Sequence, residues 1–357
     1  MASPHGLPRE YGALTKHAAN SEQCLHDLAS LRARGVSLPH EYARYASEGD
    51  WWYRVADAND GVLTGFVVEE DRSRSLPGAR LLRINKVGRG LHAPIAPHFG
   101  AICRRVVADF PRVLRCNVAL FDECNTDRQI VARSLHDAGF ESVPARSYTR
   151  TLKLELGRSP EALLASFSKS TRRNIRRATR RGLRVHRLID RMYLERCHTL
   201  YLEAFRRTAH GAPPISMERL LTSSDGVLAC LLGVVEPSPT PRAEDLLAFA
   251  WVRSHGDYAT YDTAGSTRLW SARGETPGDL LMMGCVEWAV ERGHRWFDLG
   301  GVTNSHDGLA GISDFKRGFT RNEIDVGEEW ELRPNAMLAS LSELTRGVGA
   351  VARRFLR

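Results

Sequence analysis

Hydrophobic and polar positions change period several times along the chain. After a first stretch of forty residues that reads as a helical or loose preamble, WWYRVAD (51–57) and VLTGFVVEE (62–70) form β-branched and aromatic runs. Ala-Asn-Asp-Gly separates them, the turn chemistry of a hairpin. ARLLRINKVG continues as a strand, and IAPHFGAICRRVVADF then places its apolar residues at helical spacing. RVLRCNVALFD is a further strand, 126–138 a helix capped by Thr126 and stopped by Gly139, and SYTRTLKLEL an alternating strand that leaves this first half.

The second half repeats the order with variations. Helices are predicted over 159–181 and 191–208, and a strand GVLACLLGVV follows. A Pro-rich turn leads into the strands LLAFAWVRS and DYATYDTAG, then a helix GDLLMMGCVEWAVERG and a strand RWFDLGG. Two mixed α/β units in tandem are therefore expected: a first lobe over 1–149, rejoined by 320–357, and a second over 150–319. The last stretch, MLASLSELTRGVGAVARRFLR, reads as an amphipathic basic surface helix.

Composition narrows the function classes. No run approaches the roughly 18 apolar residues of a membrane span, and the first twenty residues lack the apolar core of a signal peptide, so a cytoplasmic protein without integral membrane association is expected. The seven cysteines are odd in number and never spaced C-x-x-C, and the 13 histidines form no ligand cluster. Free thiols and no metal follow.

Net charge is +8, which favours polyanionic partners. Five of the 50 basic residues are lysine (Lys16, Lys86, Lys153, Lys169 and Lys316), so 45 are arginine. That bias reflects GC-rich coding as readily as function, and position must decide. Seven cations and no carboxylate lie between 169 and 181: Lys169, Arg172, Arg173, Arg176, Arg177, Arg180 and Arg181. On a helix, Arg172, Arg176 and Arg180 make one stripe and Arg173, Arg177 and Arg181 the next, with Ile175 and Ala178 turned inward. A solvated face is the plain alternative, but such stacking of like charge is relieved by a polyanion, and arginine forks suit phosphate. RNA backbone is the expected partner, with a nucleotide diphosphate next and no DNA.

Two further features carry chemistry. Gly300 and Gly301 end a strand and allow backbone to approach a ligand closely, although a tight turn would use them equally well. Lys316, following Phe315, is a compact ammonium in a chain where almost every other cation is arginine; it could stabilise a developing oxyanion or a phosphate, where the plain alternative is a surface lysine.

Taken together, S-x-S-T-R-R-N-I-R-R-A (168–178) before a G-L-x-V strand, D-L-G-G (298–301) and G-I-S-D-F-K-R-G-F (311–319) resemble the Fem-like aminoacyltransferases, over roughly residues 50–335. The resemblance implies an α/β fold of two tandem acetyltransferase-like (GNAT) lobes with mixed sheets. It implies transfer of an amino acid from aminoacyl-tRNA, the co-substrate, to an amine, with no cofactor. The acceptor would be a peptidoglycan precursor or a peptidyl or nucleoside natural product, as in antibiotic biosynthesis. Phe315 and Lys316 match the family's Phe-Lys pair, tied to the tRNA acceptor end and the reacting ester. The arginines of 172–181 match its basic helix, Asp122 falls near an acidic position considered as a base, and Arg206 and Arg207 would contact acceptor phosphate. A monomer is expected.

Two departures matter. The chain has no room for the coiled-coil arm some members insert in the second lobe. It also lacks the R/Q-x-x-G-x-G/A pyrophosphate loop of acetyl-CoA users, since SARGETPG at 271–278 does not fit the spacing. The competing readings are an acyl-CoA N-acyltransferase of the same fold and a non-catalytic RNA-binding relative. A dinucleotide enzyme built on VGRGLHAP (87–94) lacks its third glycine.

Overall fold

The computed structural model describes residues 11–34, 50–73, 76–88, 91, 93–121, 125–145, 149–206, 212, 215–255, 257–267, 276–302, 310–335, 337–338 and 340. The chain divides into two compact units, 1–149 with 326–357, and 150–325.

Unit 1 runs β1 (Tyr11–Ala18), α1 (Glu22–Ala33), β2 (Trp51–Asp57), β3 (Val62–Arg72), β4 (Arg80–Gly88), α2 (Phe99–Ala108), β5 (Val113–Phe121), α3 (Asn125–Asp137) and β6 (Glu141–Val143). Unit 2 continues with β7 (Arg150–Glu155), α4 (Pro160–Ser166), α5 (Lys169–Arg180), β8 (Arg184–Arg187), α6 (Leu194–Phe205), α7 (Met217–Thr222), β9 (Ala229–Val235), β10 (Leu246–His255) and β11 (Tyr258–Ser266). It closes with α8 (Pro277–Glu291), β12 (Trp296–Gly301), α9 (Ala310–Arg317) and β13 (Glu323–Asp325), and β14 (Gly327–Leu332) returns to unit 1.

The two seven-stranded sheets correspond strand for strand: β1-β2-β3-β4-β5-β14-β6 in unit 1 and β8-β9-β10-β11-β12-β7-β13 in unit 2. In each, one parallel pair (β4 with β5, β11 with β12) is joined through a helix, and the remaining pairs are antiparallel. The sixth strand of each order comes from an unexpected part of the chain. β14 enters unit 1 only after the whole of unit 2, whereas β7 opens unit 2.

Several expectations are corrected. Residues 320–325, expected in the first lobe, belong to unit 2, because β13 pairs with β7 from Glu323↔Leu152 to Asp325↔Arg150. The preamble contains a strand, β1, paired along β2. The single helix expected over 159–181 is two, broken where Phe167 and Ser168 turn extended. Phe167 is driven into the core, its ring 5.1 Å from that of Phe319, and the Ser168 hydroxyl then caps the new helix by accepting from the Thr171 N–H at 3.2 Å. The helix expected over 191–208 begins as a 3-10 turn and becomes α-helical over Leu194–Phe205. The C-terminal basic helix falls almost wholly outside the described residues.

Each unit has its own core. In unit 1 one sheet face (Tyr53, Phe66, Ile84, Val118) packs on α2 and α3. In unit 2 Leu152, Leu154, Ala259, Phe297 and Leu299 pack under α5 and α8, where Ile175, Ala178, Met282 and Val286 meet them. Strand alternation sends Thr151, Lys153, Thr260 and Asp298 to the opposite face. Among the described residues no helix is long and apolar enough to cross a membrane.

Candidate functional site

The β11–β12 ladder holds only from Tyr258↔Trp296 to Thr260↔Asp298, although both strands continue. At that point β12 turns. Asp298 Oδ1 accepts from the Gly300 N–H at 2.7 Å, and Gly300 adopts φ +78°. A Cβ there would lie 3.2 Å from Tyr261 O and 3.3 Å from Lys316 Nζ, so glycine is required both by the backbone angle and by the close approach.

Lys316, on the last turn of α9, reaches this turn and donates to Gly301 O at 2.7 Å. It is 8% exposed. Burial lowers its pKa to about 8, against a smaller raising effect from the Asp298 carboxylate. The side chain is thus a desolvated ammonium poised near neutral pH, the kind of group that senses charge developing beside it. The alternative of a solvated surface lysine is removed by this burial.

Beside α9 lies a cavity of about 670 Å³, lined by Ser168, Asn174, Asp279, Phe315, Arg317 and Arg321 among others. It opens at the N-terminal ends of α5 and α8. The Phe315 ring packs edge-on to Phe319 at 5.3 Å, which fixes it at the cavity wall. Asn174 Nδ2 donates to Asp279 Oδ2 at 3.2 Å, tying α5 to α8 across the opening. Burial raises the Asp279 pKa, opposed by hydrogen bonds from Thr276 and Asn174. On the rim Arg317 pairs with Asp314 at 3.3 Å and Glu323 at 3.7 Å.

The basic helix is regular from Lys169 to Arg180 and buries Thr171, Ile175 and Ala178. Its charged face differs from the expected pair of stripes. Arg172 is half-buried and donates to Ala165 O and Phe167 O at 2.8 and 2.6 Å, closing the end of α4. Arg177 is exposed but has interactions of its own. Lys169, Arg173, Arg176 and Arg180 are exposed and make no ion pair among the described residues. At about 100° per residue these four share one face, opposite the buried residues. One unneutralised stripe thus runs the length of α5 from the cavity mouth.

Asp122 and Arg207 lie outside the described residues. Arg206 is exposed at the C-terminal end of α6 and does not line the cavity. The structure therefore brings Lys316 to Gly300 and Gly301 at the strand-end turn, and Phe315 and the start of α5 to the cavity, whose lining does not include Lys316, Gly300 or Gly301. Asp298, Asn174 and Asp279 are the polar residues that sequence reasoning missed. Asp298 stood in the D-L-G-G motif, where its glycines drew the attention.

Residues 165–317 match the family model described as an acetyltransferase (GNAT) domain. This stretch lies within unit 2 and carries α5, β12 and Lys316. Among solved structures FemX superposes with a TM-score of 0.65 at 16% identity, covering 92% of this chain and 99% of FemX. The L-PGS structure from Bacillus licheniformis gives 0.51 at 12%, covering 91% and 96%. A tandem GNAT protein from the clavulanic acid biosynthesis pathway gives 0.50 at 14%, covering 90% and 98%. No curated protein matches the chain in sequence. The fold is a Fem-like tandem GNAT fold.

Proposed function

We propose that the protein is an aminoacyltransferase that moves an amino acid from aminoacyl-tRNA to an amine, forming an amide bond. The observation that carries this reading is Lys316: a buried lysine on α9 that donates to the strand-end carbonyl of Gly301, next in the chain to Phe315 on the wall of a cavity at the foot of an unneutralised basic helix. An anionic polymer tracked along Lys169, Arg173, Arg176 and Arg180 would deliver its end to Phe315 and Lys316. The cavity volume lies in the range of small-ligand sites and has room for a terminal nucleoside with its ester.

An aminoacyl ester is already activated, so no covalent enzyme intermediate is needed. The neutral acceptor amine attacks the ester carbonyl, a C–N bond forms, and the carbonyl electron pair moves onto oxygen. Lys316, largely protonated at neutral pH, stabilises that oxyanion. On collapse the C–O bond breaks, its electron pair leaves on the ribose hydroxyl oxygen, and the proton released by the amine passes to that oxygen. Arg206 and Arg207 remain candidates for acceptor phosphate. Peptidoglycan precursors and peptidyl or nucleoside natural products are the acceptor classes this reading favours.

The test is transfer from a tRNA pool charged with labelled amino acids to the amines of a metabolite extract, followed by mass. Product that disappears when RNase precedes the enzyme supports the reading. Product that forms from acyl-CoA and ignores RNase replaces it with a CoA-dependent N-acyltransferase.

A further inference from the structure

We infer that Asp298 is the positioning residue of this site: its carboxylate shapes the Gly300–Gly301 turn on which Lys316 sits, and supplies the counter-charge to that ammonium. This inference rests on the role given to Lys316 above.

Asp298 is 1% exposed. Its Oδ1 takes two hydrogen bonds, from the Thr151 hydroxyl on β7 and from the Gly300 N–H at 2.7 Å. The second is a side chain to backbone bond two residues on, which bends β12 as its ladder with β11 ends. The bend presents Gly301 O to Lys316 Nζ at 2.7 Å. A neutral asparagine could make the same turn through one oxygen. What a carboxylate adds is Oδ2, which is buried without a hydrogen-bond partner among the described residues. A buried charge held in this way has an electrostatic use, and its field acts on Lys316 against the cost of burial. The other ionisable groups on the surrounding elements are Arg150, Lys153 and Glu155 on β7, Tyr258, Tyr261 and Asp262 on β11, Lys169 and the five arginines of α5, Asp279, Cys285, Glu287 and Glu291 on α8, and Asp314 and Arg317 on α9 itself. None of these is a carboxylate on β12, the strand that receives the ammonium.

Lysine labelled with ¹³C at Cε reports each ammonium separately, and a chain of five lysines keeps the spectrum simple. Lys316→Met identifies the resonance. In the intact protein Lys316 is expected to titrate near pH 8. In Asp298→Asn, and equally in Asp298→Ser, the midpoint moves to lower pH; in Asp298→Glu, which keeps the charge, it returns towards the parent value. A midpoint that stays put in a folded neutral variant overturns the inference. So does failure of both neutral variants to fold while Asp298→Glu folds without a titration near 8, since Asp298 would then serve folding alone. The titration needs no substrate. A midpoint that moves while Lys316→Met keeps full transfer activity would fail the proposed function and leave the positioning intact, whereas a fixed midpoint with an inactive Lys316→Met would fail only the positioning.

Discussion

Lys316 Nζ donates to Gly301 O at 2.7 Å, so a side chain on α9 is seated on the last residue of β12. That bond fixes the ammonium where the β11–β12 ladder has ended. The chemistry assigned to unit 2 follows from this placement, and so do its consequences for stability and binding.

The buried ammonium should be visible in the pH dependence of stability. An unfolded lysine keeps its proton to about pH 10.5, whereas folded Lys316 releases it above about pH 8. Between these values the unfolded state binds more protons, so stability rises with pH across the window and is lost as pH falls from about 10.5 to about 8. The whole shift corresponds to something on the order of 3 kcal/mol. Urea unfolding of the parent and Lys316→Met at pH 7 and pH 10 should show the parent gaining on the variant at the higher pH. A constant difference would mean that Lys316 is solvated.

Gly300→Ala should harm both fold and activity. Its left-handed φ of +78° costs a residue with a Cβ roughly 1–2 kcal/mol, and the new methyl would press on Lys316 Nζ. The thermal midpoint should fall, and the transfer rate should fall further than that loss explains. Full activity in a folded Gly300→Ala would show that the turn does not govern Lys316.

The arginines of α5 should separate into two classes. Replacing Arg173, Arg176 and Arg180 by Gln should weaken tRNA binding and reduce the slope of log affinity against log salt by about 2 to 3, with the melting curve unchanged. Arg172→Gln should instead destabilise by about 1 kcal/mol, because it frees the carbonyls that close α4. Filter binding over a salt series, set beside unfolding curves, distinguishes the two. Identical behaviour of all four would remove the exposed stripe from the account.

Asn174→Ala should loosen the mouth of the cavity. It takes one donor from a buried carboxylate, so the Asp279 pKa should rise further and the protein should lose about 1–3 kcal/mol. Amide exchange at the first turns of α5 and α8 should quicken together. Exchange unchanged in both would show that the Asn174–Asp279 bond does not couple the helices.

Much of this was legible in the chain. Asp57 Oδ1 accepting from the Asn59 and Gly61 N–H groups is the turn that Ala-Asn-Asp-Gly announced, and Gly139 at φ +83° is the stop after α3. Alternation and helical period are local signals, and they placed β2, β3, β10, β11, α8 and β12. The sheet orders were not legible, because the seat of β14 between β5 and β6 depends on pairing across more than 180 residues of intervening chain. Nor was the break at Phe167, where a core contact with Phe319 overrides a helical pattern. At the site, the rarity of lysine singled out Lys316, but its burial and its seat on Gly301 are tertiary facts. Asp298 looked like an ordinary strand residue because the bond to Gly300 and the opposite strand's Thr151 hydroxyl appear only in three dimensions.

The most direct test is the single-turnover rate at which a labelled amino acid leaves aminoacyl-tRNA for an amine acceptor, compared between the parent and Lys316→Met. Loss of one oxyanion donor should slow the chemical step roughly 100- to 1000-fold while tRNA binding and the circular dichroism spectrum stay as they were. Equal rates in the two proteins would contradict the assignment of Lys316 and with it the aminoacyl transfer built on it.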